Sequence, residues 1–166
     1  MQNLETILKQ KLENANRIAV LGIGSDLRGD DVVGILAAQQ IEKSIKNKTT
    51  PPQVQVFIGE TAPENLTGEI KRFNPTLMII IDSADLDTEP GQIRVLNVEE
   101  IGGTSFCTHS LPIKVMVDYL LQSLKFEVIT IGVQPKTLAV GAKPSKQIIQ
   151  VAKRLSETIV KLLIAK

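Results

Sequence analysis

Apolar positions along this chain recur with two different spacings, and the two alternate. Leu4, Ile7, Leu8 and Leu12 stand at helical intervals and predict an amphipathic helix over residues 3–15. Residues 17–24, Arg-Ile-Ala-Val-Leu-Gly-Ile-Gly, form a near-continuous apolar run that predicts a buried strand. Val32, Ile35, Leu36 and Ile41 return to helical spacing and predict a helix over 31–48, with lysines 43, 46 and 48 suited to its negative end. Thr49-Thr50-Pro51-Pro52 stops it. Val54–Ile58 opens with strict alternation and predicts a second strand. Pro63 fits the first turn of a helix running to about Phe73, where Asn74-Pro75 ends it. Leu77–Ile81 is the most apolar run and predicts a central parallel strand, followed by Asp82-Ser83-Ala84-Asp85. After a Pro90-Gly91 turn, the more polar stretch 93–98 predicts an edge strand. A helix from about residue 110 to Leu124 turns Ile113, Val117, Leu120 and Leu121 inward; a strand over 126–132 and a final helix over about 145–164 complete the series. Strand–helix alternation of this kind predicts an α/β fold, a mostly parallel sheet with helices on both faces.

Composition narrows the function classes. A chain of 166 residues is long enough for a single domain with a sizeable core. Trp is absent and aliphatics supply nearly all the apolar content, which suits buried parallel strands. Net charge is +1, with no basic stripe and few aromatics for base stacking, so nucleic acid is not an expected partner. The single cysteine, Cys107, leaves no intramolecular disulfide and no Cys-based zinc cage, and a reducing compartment is expected. The first sixteen residues are charged throughout and do not read as a signal peptide, and no run is long enough to span a bilayer. A soluble cytoplasmic domain without membrane insertion is the expectation.

Candidate chemistry concentrates where predicted strands end. Gly22-Ile23-Gly24-Ser25-Asp26-Leu27-Arg28-Gly29-Asp30-Asp31 joins the first strand to the following helix. Leu27 breaks the G-x-G-x-x-G dinucleotide fingerprint, and no Gly-Lys-Ser/Thr follows, so neither a dinucleotide site nor a P-loop is present. Two adjacent carboxylates attract cations, and one of them is expected to cap the helix. Asp82 closes the central strand, and His109, the only histidine, precedes the helix at 110. If the first and third strands are neighbours, Asp31, Asp82 and His109 converge at one sheet edge. Two carboxylates and an imidazole would then form an open site for a borderline divalent ion. Equally, Asp82 suits a turn cap through Ser83 and Ala84, and His109 suits a structural position before Pro112. Cys107 reads as a small core residue. Serines 25, 83, 105 and 110 offer nucleophiles, but no Gly-x-Ser-x-Gly elbow accompanies them.

Taken together, five collinear blocks resemble the [NiFe]-hydrogenase maturation endopeptidases, most nearly the hydrogenase 3 type. They are the Gly22–Gly34 turn, Thr61-Ala62-Pro63-Glu64-Asn65, Ile80–Asp85 with Pro90-Gly91, Thr108-His109-Ser110-Leu111-Pro112, and Ile131-Gly132-Val133-Gln134-Pro135. The resemblance covers nearly the whole chain after residue 17. It implies one domain over 1–166, folded as a three-layer α/β/α sandwich with a mostly parallel central sheet. It implies removal of the C-terminal extension of a [NiFe]-hydrogenase large-subunit precursor after nickel insertion, with the nickel brought by the precursor. The family's two acids and its histidine, which contact metal and carry catalysis, fall on Asp31, Asp82 and His109. One departure is evident. Many members carry Asp-Gly-Gly-Thr/Ser after the second strand, whereas this chain has Ile58-Gly59-Glu60-Thr61, with the nearest acid, Glu60, two residues late. A non-proteolytic nickel- or iron-handling assembly factor using the same three residues is the alternative, and a nucleotide-binding module is a weaker third.

Overall fold

A computed structural model describes residues 2–46, 48, 52–96 and 110–165. In chain order the elements are α1 (Gln2–Leu12), β1 (Arg17–Ile23), a 3-10 turn (Gly29–Val32), α2 (Val33–Ile45), β2 (Gln53–Glu60), a second 3-10 turn (Pro63–Leu66) and α3 (Thr67–Phe73). They continue with β3 (Leu77–Ser83), β4 (Ile93–Leu96), α4 (Ser110–Leu121), β5 (Glu127–Val133) and α5 (Lys146–Ile164). The strands form one sheet in the order β2-β1-β3-β5-β4. All pairs are parallel except β4 with β5. β3 is therefore central and β4 lies at an edge, as the hydropathy of each predicts. β1 and β3 are direct neighbours, with Gly22 opposite Ile81.

Side chains of the inner strands divide between two cores. Ile18, Val20, Leu77, Ile79, Ile81, Ile129 and Ile131 meet α1, α2 and α5 on one face. Ala19, Leu21, Ile23, Met78 and Ile80 meet Ile70 of α3 and Ile113, Met116, Val117 and Leu120 of α4 on the other. Both faces of β1 and β3 are thus dry, which explains why their sequences run apolar instead of alternating. Helices on both sides make the expected three-layer sandwich. Each fully buried Leu or Ile contributes roughly 1.5–3 kcal/mol through removal from water, and α5 alone buries Ile148, Val151, Leu155, Ile159, Leu162 and Leu163.

Several boundaries differ from expectation. The helix expected at 31–48 is split into a 3-10 turn and α2, and the one expected from Pro63 is split in the same way. α3 ends where Asn74 takes a left-handed conformation (φ 52°) and its N–H returns to Ile70 O at 2.9 Å. β3 runs two residues further than its apolar stretch, so Asp82 lies within the strand and not beyond it. The stop at 49–51 and the end of the strand expected over 93–98 lie outside the described residues. No described helix is long and apolar enough to cross a membrane.

Candidate active site

Glycine makes the first turn possible by letting α2 press onto the sheet. A Cβ on Gly34 would sit 2.1 Å from Ile81 O and 2.3 Å from Ile23 O. The start of α2 therefore rests directly on the carboxyl ends of β1 and β3, closer than any side chain permits. Gly24 (φ 141°) is as constrained, since a Cβ there would lie 1.8 Å from Asp31 O. Its N–H donates to Glu60 O at 3.0 Å, which ties the turn to the end of β2. These close approaches carry Asp31 to the end of β3.

The two adjacent aspartates are both buried and have separate tasks. Neither caps α2, contrary to the expectation from sequence. Val32 occupies the cap position and its side chain makes no cap hydrogen bond. The intervening 3-10 turn directs Asp30 toward residues 136–145 instead. Its Oδ1 accepts from Ser145 N at 2.7 Å, and its Oδ2 accepts from Lys136 N (2.8 Å), Thr137 N (3.4 Å) and Ser145 Oγ (3.1 Å). Asp30 is thus a structural clamp, with both oxygens satisfied. Around it, Asp30 N donates to Thr137 O, Gly29 N to Ala142 O and Gly141 N to Leu27 O, at 2.9, 3.2 and 2.8 Å.

Asp31 turns to β3. Its Oδ1 accepts from Ser83 Oγ at 2.5 Å, and Asp82 Oδ1 accepts from Ser83 N at 2.7 Å. The remaining oxygen of each carboxylate, Oδ2 in both, is buried without a hydrogen-bond partner. A buried, unpartnered carboxylate oxygen costs about 1–3 kcal/mol or more, so one on each of two coupled acids marks a place prepared for something else. Burial, and next the charge of Asp31, hold the Asp82 carboxyl well above the usual carboxylate range, against the lowering effect of the Ser83 N–H. A proton or a cation relieves this arrangement. The two free oxygens are a fitting, hard-to-borderline donor pair for a divalent metal.

The third predicted residue, His109, lies outside the described residues, as does Cys107. Its neighbour in sequence, Ser110, opens α4. α4 returns through a short link to the start of β5, which runs parallel to β3. Ser110 therefore begins the helix at the same sheet edge that carries Asp31 and Asp82. Among the described residues no group of three His, Cys, Asp or Glu side chains gathers around one point. Glu60, with φ 47°, is exposed at the end of β2. It lines a cavity of about 540 Å³ together with Ser25, Leu27, Gln39 and Thr61.

The sequence pattern singles out Asp31 and Asp82 but neither Ser83 as the link between them nor Asp30 as a clamp. The first had a signal, a hydroxyl immediately after an acid at a strand end. The second had none, since its partners are mostly backbone amides more than a hundred residues away.

Comparisons with known proteins point to one family. Residues 35–163 match the family model described as HycI, hydrogenase maturation protease. The hydrogenase 3 maturation protease of Escherichia coli K12 is 32% identical over 117 residues, spanning 70% of this chain and 71% of that protein. The crystal structure of the [NiFe] hydrogenase maturation protease HycI from Thermococcus kodakarensis superposes with a TM-score of 0.84 at 30% identity, covering 95% of this chain and 98% of that one. A crystal structure of a hydrogenase 3 maturation protease gives a TM-score of 0.70 at 27% identity, over 85% and 87% of the two chains. With a matching model over most of its length and the same sandwich beneath it, this chain belongs to the hydrogenase maturation proteases and is a peptidase of the HycI type.

Proposed function

We propose that this endopeptidase removes the C-terminal extension of a [NiFe]-hydrogenase large-subunit precursor once nickel has been inserted, and that Asp31, Asp82 and His109 meet that nickel. The observation that carries this reading is the pair of buried, unpartnered Oδ2 atoms on Asp31 and Asp82. The nickel arrives as part of the substrate. The two free carboxylate oxygens supply donors at the sheet edge, and His109 supplies an imidazole from the residue before α4. With three protein donors engaged, the substrate's chain is held at a fixed offset from the site, and orientation of that kind lowers the barrier to hydrolysis. Discrimination follows from the same contacts, since a precursor without metal offers nothing for the free oxygens to bind.

Aspartic-type hydrolysis belongs to this reading. The Asp82 carboxyl, raised by its burial and next by the charge of Asp31, holds its proton more tightly than an ordinary carboxyl. An unequal pair of this sort provides an acid and a base side chain for the reaction. A cytoplasmic location completes the proposal.

The test is intact-mass measurement after incubating the protein with nickel-loaded and with nickel-free large-subunit precursor. Loss of a C-terminal peptide from the loaded form alone is expected. Equal cleavage of both forms overturns the metal requirement. Binding of the loaded form without any loss of mass overturns the proteolytic reading in favour of an assembly factor.

A further inference from the structure

Ser83 touches both carboxylates of the site through different atoms. Its backbone N–H serves Asp82 Oδ1 and its hydroxyl serves Asp31 Oδ1, at 2.7 and 2.5 Å. The residue is buried at the end of β3, opposite Val133 of β5, so its backbone is fixed by the sheet. A hydroxyl has a single proton to donate, and here it goes to Asp31. The terminal torsion of an aspartate is soft and roughly two-fold, so without a partner its orientation is set by packing alone. A short hydrogen bond to one oxygen removes that freedom and decides which oxygen remains for the substrate.

We infer that Ser83 is a positioning residue for the hydrolysis, setting Asp31 and Asp82 from one rigid point so that both present Oδ2 to the incoming substrate. The inference rests on the reading that these two acids meet the precursor's nickel. Asp31 comes from the turn before α2 and Asp82 from β3, so without Ser83 their carboxylates are aligned only by packing. Ser83 turns two separate elements into one preset pair. Removing the hydroxyl leaves Asp31 Oδ1 without its donor in a buried site, while the Ser83 N–H remains with Asp82 whatever the side chain is. The loss of activity falls more on turnover than on capture of the precursor.

The experiment compares Ser83→Ala, Ser83→Thr and Ser83→Cys with the parent, using nickel-loaded precursor, and reads kcat, KM and the melting temperature. Asp31→Asn and Asp82→Asn run alongside. Ser83→Ala is expected to lower kcat by roughly 10–100-fold, the scale of a misplaced catalytic group. Its KM should rise by less than its kcat falls, and its melting temperature should drop by several degrees, because Asp31 Oδ1 is left buried without a donor. Ser83→Thr, which keeps the hydroxyl, should recover most of the lost kcat. If Ser83→Ala does not fold, Ser83→Cys takes its place, with similar shape and a weak donor, and a lowered kcat is again expected. A parent-like kcat in Ser83→Ala or Ser83→Cys, while the two Asp→Asn variants are inactive, overturns the inference and leaves the site intact. Equal loss in Ser83→Ala and Ser83→Thr, both folded, also overturns it, since the hydroxyl would then not be the cause. Parent-like cleavage by Asp31→Asn and Asp82→Asn overturns the underlying reading instead.

Discussion

Asp30 and Asp31 are consecutive, both are buried, and their carboxylates share no hydrogen-bond partner: the first is held by residues 136–145 and the second by Ser83. One peptide bond therefore separates a structural acid from an acid with a free oxygen. Substituting each in turn should separate stability from activity.

Asp31→Asn should fold with a melting temperature near the parent's, because its side-chain carbonyl still accepts the Ser83 hydroxyl and no helix cap is lost. Precursor cleavage should fall by two orders of magnitude or more, on the order expected for removing a group that acts directly on the reaction. A melting curve and a cleavage time course check both halves.

Asp30→Asn should behave in the opposite way. Its amide nitrogen must face a donor where the carboxylate accepted one, which leaves a buried clash of donors. A loss of about 1–3 kcal/mol is expected, read as a lower urea midpoint with an unchanged slope.

Asp82→Asn should be more stable than the parent at neutral pH while inactive in cleavage. The folded-state pKa of Asp82 is raised, so its contribution to stability is full below the ordinary carboxylate range and is lost as pH climbs through the raised value. Parent stability should thus decline with rising pH over that window, and Asp82→Asn should lack the decline. Thermal melts from acid to neutral pH, compared between the two proteins, test the sign.

Gly34→Ala should disrupt fold and activity together. The added methyl meets two strand carbonyls at 2.1 and 2.3 Å, and backbone cannot yield as a flexible side chain does. A cost of at least about 1–3 kcal/mol follows from overpacking, and α2 must lift, carrying Asp31 from Ser83. Denaturant unfolding together with cleavage rate checks this.

His109→Ala should weaken binding of nickel, zinc or cadmium to the free protein. Affinity should be modest even in the parent, since two carboxylates and one imidazole make a sparse donor set. Titration calorimetry of parent and variant with each ion decides whether the imidazole participates.

Much of the sandwich was legible because both faces of its inner strands are dry, so Leu77–Ile81 and Ile18–Leu21 announce their burial in composition alone. The place of Asp82 was legible to within a residue, though it lies inside β3: the ladder continues past the apolar stretch because β5 supplies partners as far as Val133. The role of Asp30 was not legible. Capping is a local rule, and here a 3-10 turn placed the carboxylate before a distant loop. Gly34 was visible as a letter, but its reason, the carbonyls of Ile23 and Ile81 beneath it, exists only once β1 and β3 are side by side.

The clamp between Asp30 and Ser145 also bears on when the protein becomes competent. Ser145 is the cap of α5, its hydroxyl accepting from Ile148 N, and it lies 115 residues from Asp30. The clamp on the turn that carries Asp31 forms only once that distant segment has been synthesised and docked. Contacts of such long range form late in folding. A chain still emerging from the ribosome therefore holds Asp30 unclamped, and the turn beside Asp31 gains that tether only when the start of α5 has docked.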